Sequence, residues 1–156
     1  MGIKTIIGVD PGVSGGLCYN IGEDLHLHKW VDAKSMFAIL ESVMTAARLE
    51  EQELHVYIEK VSASPIMGQA SAFKFGYNYG QWQAIFDCLG LDYILVAPQS
   101  WQMYLNKPAD LRGAPLKKWL KTQAITHFAD TRGVKEKDIT LSVCDAMLIW
   151  EFGRRQ

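Results

Sequence analysis

Three β-rich runs lie ahead of Asp32, and the gaps between them leave room only for turns. Residues 3–9 read as a buried strand. It is stopped by Asp10-Pro11-Gly12-Val13-Ser14-Gly15-Gly16, whose proline and glycines interrupt extended pairing. Leu17–Tyr19 and Leu25–Val31 read as two further strands joined at Gly22-Glu23-Asp24. Strands this close in sequence can pair only as antiparallel hairpins, because a parallel pair needs a crossover of about a dozen residues. The chain therefore opens with an antiparallel meander.

The segments after the meander set the rest of the sheet. From Ala33 to Leu49 the residues Met36, Phe37, Ile39, Leu40, Val43, Met44 and Ala47 recur at helical spacing, which predicts an amphipathic helix. Leu54–Ile58 is a short β-rich run ending at Glu59. A strand–helix–strand crossover after a meander tends to place the fourth strand parallel to, and beside, the first. The segment from about Ala70 to Leu89 again has helical spacing, weakened by Gly76 and Gly80. Tyr93–Val96 is a fifth strand, Pro98 suits the first turn of a short helix through Tyr104, and Pro115 opens a helix to about Phe128. A last helix from about Thr140 to Phe152 carries Leu141, Cys144, Leu148 and Phe152 on one side, with Gly153 as its stop. The expected class is α/β: one domain over residues 1–156, with a mixed five-stranded sheet flanked by helices.

Apolar residues make up 49% and charged residues 21% of the chain, a composition that buries a core and excludes disorder. No stretch approaches the ~18 uncharged apolar residues of a membrane helix, and Asp10 interrupts the apolar opening before a signal-like region develops. The expectation is a cytoplasmic protein, of a bacterium or a phage-infected host, with no membrane partner. Cys18, Cys88 and Cys144 match no zinc spacing and are odd in number, so they are expected as buried thiols. A net charge of −1 argues against a chain that is basic throughout. One segment is the exception: Arg112, Lys117, Lys118 and Lys121 stand between residues 111 and 129 without one acid, and Arg154 and Arg155 lie near the end of the sequence. Lys118 and Lys121, and Lys117 and Lys121, are spaced to share a helix face, so the cluster points one way. Its ordinary reading is a solvated face; its functional reading is contact with a phosphate backbone.

Three acids stand out. Asp10 follows the first strand and Glu59 the fourth, so parallel neighbours about 4.8 Å apart would set the two carboxylates side by side. Such a pair repels, and each member raises the other's pKa unless a cation intervenes. Hard divalent ions such as Mg²⁺ are commonly held by carboxylates together with substrate phosphate. Asp145 lies within the apolar run Leu141–Trp150, where an ionised side chain is costly without a partner. Taken singly, Asp10 could start a turn, Glu59 could end an exposed strand and Asp145 could sit on a solvated face. Two acids at adjacent strand ends, with a third in a late helix, favour one shared site.

The strings Ile7-Gly8-Val9-Asp10-Pro11-Gly12, Val56-Tyr57-Ile58-Glu59-Lys60-Val61 and Val143-Cys144-Asp145-Ala146-Met147 resemble, in order and spacing, the three catalytic segments of the RuvC family of Holliday-junction resolvases. Gly80-Gln81 and Ala97-Pro98-Gln99 resemble the family's central region, so the resemblance spans essentially the whole chain. It is of a phage-like length. The resemblance implies an RNase H-like fold, a homodimer, two Mg²⁺ or Mn²⁺ ions per active site, and paired nicking of four-way DNA junctions. Asp10, Glu59 and Asp145 are then the catalytic and metal-binding residues, with Asp10 bridging, and Lys117, Lys118 and Lys121 contact DNA. Symmetrical cleavage of a two-fold junction is most simply achieved by a C2 dimer. The aromatic segment Phe75-Gly76-Tyr77-Asn78-Tyr79-Gly80-Gln81-Trp82 is the expected contact, or else ordinary core.

Two positions depart from the family. The fourth metal-site residue, an aspartate or histidine one helical turn before the last aspartate, is here Ser142, whose hydroxyl brings no charge. Asp138 could replace it but reads better as a helix N-cap. The aromatic residue that some members place three positions beyond the glutamate is here Ser62, leaving Ile66, Met67, Phe73 or Phe75 for that role. Three other functions compete: a nuclease for flap, Y-shaped or single-stranded DNA, an actin-like ATPase, and a non-catalytic junction-binding protein. The ATPase superfamily needs two such domains where this length supplies one, and the intact acids disfavour a degenerate site.

Overall fold

The computed structural model describes residues 2–156. Strands β1 (Lys4–Asp10), β2 (Gly16–Ile21) and β3 (Asp24–Lys29) form the antiparallel meander. Helix α1 (Ala33–Leu49) crosses over to β4 (Glu53–Glu59), which pairs parallel with β1. Helix α2 (Gln69–Leu89) leads to β5 (Tyr93–Val96), parallel to β4. Then come α3 (Pro98–Met103), α4 (Gly113–Phe128), a 3₁₀ turn at Glu136–Asp138, and α5 (Cys144–Arg154). The sheet order is β3-β2-β1-β4-β5, with β1 central.

Strand alternation divides the interior into two cores. On one face Ile7, Val9, Val56 and Ile58 pack with Met36, Leu40 and Val43 of α1 and with Trp82, Ile85 and Phe86 of α2. On the other, Ile6 and Tyr57 pack with Leu120 and Phe128 of α4 and with Met147, Leu148 and Trp150 of α5. Helix α1 forms where its periodicity places it because Asp32 caps it, accepting the Ser35 amide at 2.7 Å. Its buried residues Met36, Leu40, Val43 and Ala47 fall on one stripe.

Glycine lets α5 lie on the centre of the sheet. A Cβ on Gly8 would stand 2.9 Å from Trp150 Cα and still nearer the backbone of Ala146, so only glycine admits this approach. Gly153 acts the same way inside α5: a Cβ there would enter the Tyr57 ring, at 2.6 Å from its Cε2. The expectation that Gly153 stops the helix is therefore wrong. The helix continues to Arg154, and the glycine serves packing.

Other boundaries also move. The last helix starts at Cys144 rather than Thr140, since residues 140–143 form a turn. Asp138 caps no helix there; it accepts the Lys135 amide at 3.1 Å within the 3₁₀ turn. Helix α4 opens at Gly113, with φ +56°, two residues before Pro115. Cys18 and Cys144 are buried as expected, but Cys88 is exposed on α2. Among the described residues no helix is long and apolar enough to cross a membrane.

Candidate active site

Asp10 and Glu59 are the last residues of β1 and β4. The parallel register runs Gly8 with Tyr57 and Val9 with Ile58, so its next step sets Asp10 against Glu59. Alternation turns both away from Val9 and Ile58, onto the face covered by α5. Asp145 sits in the first turn of α5 and is 5% exposed; Asp10 is 8% exposed. The structure thus brings the three acids to one corner, where β1 and β4 end and α5 begins.

The turn after Asp10 is built around its carboxylate. Gly12 donates its amide to Asp10 Oδ1 at 3.1 Å, and the Gly15 amide closes the turn on the Gly12 carbonyl at 2.8 Å. A Cβ on Gly15 would lie 2.7 Å from Asp10 Cγ, so that glycine is required for the chain to pass. From α2, Asn78 donates through Nδ2 to the Pro11 carbonyl at 2.7 Å and to that of Gly12 at 3.2 Å. Asn78 is buried and pins the turn from the opposite core. The sequence offered no signal for it beyond a polar residue among aromatics.

Glu59 is held from the far side: the buried Trp101 of α3 donates its indole Nε1–H to Glu59 Oε2 at 2.9 Å. Asp145 is held twice. The Lys117 ammonium on α4 contacts its Oδ2 at 2.5 Å, and the Cys144 thiol its Oδ1 at 3.4 Å. Lys117 was expected on a DNA-facing cluster with Lys118 and Lys121. It is turned inward onto Asp145, although its side chain is about half exposed (53%), while Lys118 is exposed and makes no ion pair among the described residues.

The electrostatics reflect this crowding. Burial first, and then the charge of Asp145, push the Asp10 carboxyl up to about 6, against the pull of Lys117 and the Gly12 amide. Burial and then Asp10 push Glu59 up to about 8, although the Trp101 bond acts the other way. Burial alone would lower the Lys117 ammonium, but Asp145 and Asp10 outweigh it and hold it above its ordinary value. Burial and Asp145 push the Cys144 thiol up to about 12. Asp10 feels Asp145 and Glu59 feels Asp10 foremost, which makes Asp10 the middle member of the trio.

A divalent cation fits the chemistry of this donor set: three hard, like-charged carboxylates gathered at one mostly buried corner, two of them, Asp10 and Glu59, pushed toward their neutral forms first by burial and then by a neighbouring acid. As the side chains stand, no three His, Cys, Asp or Glu residues among the described residues converge on a single ion position. Lys117 occupies part of the space around Asp145 instead.

The other expected residues lie around this corner or away from it. Ser142 is half-buried in the turn before α5, not one turn earlier in the same helix, and its hydroxyl makes no hydrogen bond among the described residues. Asp138 lines a pocket of about 520 Å³ along β3 with His26, His28 and Lys137, which contains none of the three acids. A groove of about 460 Å³ opens beside Glu59 and is lined by Ser62, Met67, Phe75, Pro98 and Gln99. Ile66 and Phe73 are strongly exposed. Trp82 belongs to the core beside α1, so the aromatic segment expected as a dimer contact is divided: Tyr77 faces outward and Trp82 inward.

A mixed sheet in this order, with helices on both faces, defines the RNase H-like fold class. Within it, the chain is similar to Thermus thermophilus RuvC solved in complex with a Holliday junction substrate. The two share 15% identity over 98% of this chain and 96% of that one, with a TM-score of 0.52. A second T. thermophilus RuvC structure gives 16% identity, 97% and 95% coverage, and a TM-score of 0.51. At this identity the likeness establishes a shared fold alone. No protein-family model and no curated protein matches the sequence.

Proposed function

We propose that the chain is a divalent-metal-dependent endodeoxyribonuclease that hydrolyses phosphodiester bonds in branched DNA and resolves four-way junctions by paired nicks. The observation that carries this reading is the placement of Asp10 and Glu59, at neighbouring strand ends, at the same buried corner as Asp145 in the first turn of the helix above them. The likeness to a RuvC fold solved with a Holliday junction substrate supports the choice of substrate.

Asp10, Glu59 and Asp145 would supply the oxygen ligands for Mg²⁺, with Mn²⁺ able to replace it. The bound metal supplies a lowered pKa for water and charge stabilisation at the phosphate. The Gly12 amide and Asn78 fix the Asp10 turn, and Trp101 fixes the orientation of Glu59. Two ions per site, as the family resemblance implies, require Asp145 to be released from Lys117. Lys118 and Lys121 attract the phosphate backbone without reading sequence, and Ser142 lies near enough in sequence to Asp145 to assist a ligand through water. Two copies of this domain related by a two-fold axis would present two sites to one junction, with the exposed Phe73 and Tyr77 of α2 at their contact.

The test is Mg²⁺-dependent cleavage of matched four-way, Y-shaped and linear DNAs, with nicks mapped on every strand. Symmetrical nicks in the four-way junction are expected, together with loss of cleavage but retained binding in Asp10→Asn. Preferential cutting of Y-shaped or single-stranded DNA would redirect the substrate assignment, and unchanged cleavage by Asp10→Asn would overturn the metal site.

A further inference from the structure

Three carboxylates present six oxygens, and the protein's own donors are distributed unevenly among them. Both oxygens of Asp145 are engaged, Oδ2 by the Lys117 ammonium and Oδ1 by the Cys144 thiol. Asp10 Oδ1 takes the Gly12 amide and Glu59 Oε2 the Trp101 indole. Among the described residues, Asp10 Oδ2 and Glu59 Oε1 accept no hydrogen bond, and these belong to the two acids on neighbouring strand ends.

Resting on the nuclease reading above, we infer that this site takes one divalent ion, between Asp10 and Glu59, and that the Lys117 ammonium on Asp145 stands where a second ion would bind. Two further observations agree. Ser142, in the turn before α5, brings a neutral hydroxyl and no charge. Three ionised carboxylates are also balanced by one divalent ion together with one ammonium, whereas two divalent ions beside Lys117 would leave an excess of positive charge before any phosphate arrived. Lys117 has the reach for this: it projects from α4 with its side chain half in solvent and its head on a buried acid. An ammonium placed there is also available to a phosphate oxygen of the bound strand, as a point charge with three donors.

The experiment is Mn²⁺ binding to the intact, DNA-free protein, followed by calorimetry and by the loss of free-ion paramagnetic resonance signal. The wild type is expected to bind one ion per chain. Lys117→Met, which keeps the length of the side chain and removes its charge, is expected to bind a second ion at Asp145; Lys117→Arg is expected to keep the count at one. Asp10→Asn lowers affinity for the first ion by about 100-fold or more, at or beyond the upper end of what loss of a ligand's supporting partner costs, while Asp145→Asn in the Lys117→Met background removes only the second ion. Thermal melts confirm that each variant folds. Two ions of similar affinity in the wild type, or an unchanged count in Lys117→Met, overturn the inference and leave the nuclease reading standing. No Mn²⁺ binding by the wild type overturns both.

Discussion

Helices α2 and α5 both contain glycine, and the contrast between them explains how the site is held. In α5, Gly153 faces the Tyr57 ring and Gly8 of β1 admits the helix backbone, so the helix is buried along most of its length. In α2, Gly76 and Gly80 face open space, and only Asn78, Trp82, Ile85 and Phe86 are buried. The same residue thus marks close approach in one helix and an uncovered surface in the other. Helix α5 carries Asp145 and cannot shift without breaking the packing on β1, whereas α2 reaches the site through Asn78.

Filling the closest approach is the most damaging way to break this contrast. Gly8→Val would drive a side chain into the α5 backbone and is expected to cost about 3 kcal/mol or more, seen as a lowered midpoint in urea unfolding. A variant of wild-type stability would mean that α5 does not lie against β1.

The acids under α5 make the second prediction. Folded Glu59 holds its proton up to about 8, against 4.5 for an ordinary glutamate, and Asp10 holds its own up to about 6. Between those limits the folded chain keeps protons that the unfolded chain has released. Their contribution is therefore fully present at the acid end of the window and lost as pH rises through the folded values. The metal-free protein is expected to lose roughly 4–5 kcal/mol between about pH 5 and 8, read as a falling Tm. Glu59→Gln should flatten that slope, and Mg²⁺ should restore the Tm at the alkaline end; a metal-free Tm that rises over this range would contradict the buried arrangement.

A smaller effect is expected where α2 meets the site. Asn78→Ala leaves the Pro11 and Gly12 carbonyls without their donor and should cost about 1–2 kcal/mol. It should also reduce metal affinity, because the Asp10 turn loses its support; a loss of stability with metal affinity untouched would make Asn78 a packing residue only. The smallest effect has the opposite sign. A Cβ at Gly80 meets nothing within 4 Å, so Gly80→Ala should stabilise α2 by about 0.5–1 kcal/mol. A loss of stability at that position only at high protein concentration would show that a second chain covers this face.

Much of the fold was legible in the string of residues. The bounds of α1 and β5 agree with the periodicity, and β4 lies beside β1 as a crossover after a meander favours. Errors collected where packing overrides local preference. Gly153 reads as a stop because glycine ends helices, but a ring lying against it is invisible in a string of letters. The Trp82 side chain reads equally as core or contact because helical spacing gives a face without saying what covers it.

By itself, the sequence determined which acids could meet: strand-end positions, a parallel register and a period of two put Asp10 and Glu59 on one face, with Asp145 in the last helix. Only tertiary structure decided who attends to each carboxylate. Trp101 lies 42 residues from Glu59, Lys117 28 from Asp145, and Asn78 67 from Pro11. Hydrogen bonds across such separations depend on how whole elements pack, and no local pattern encodes them.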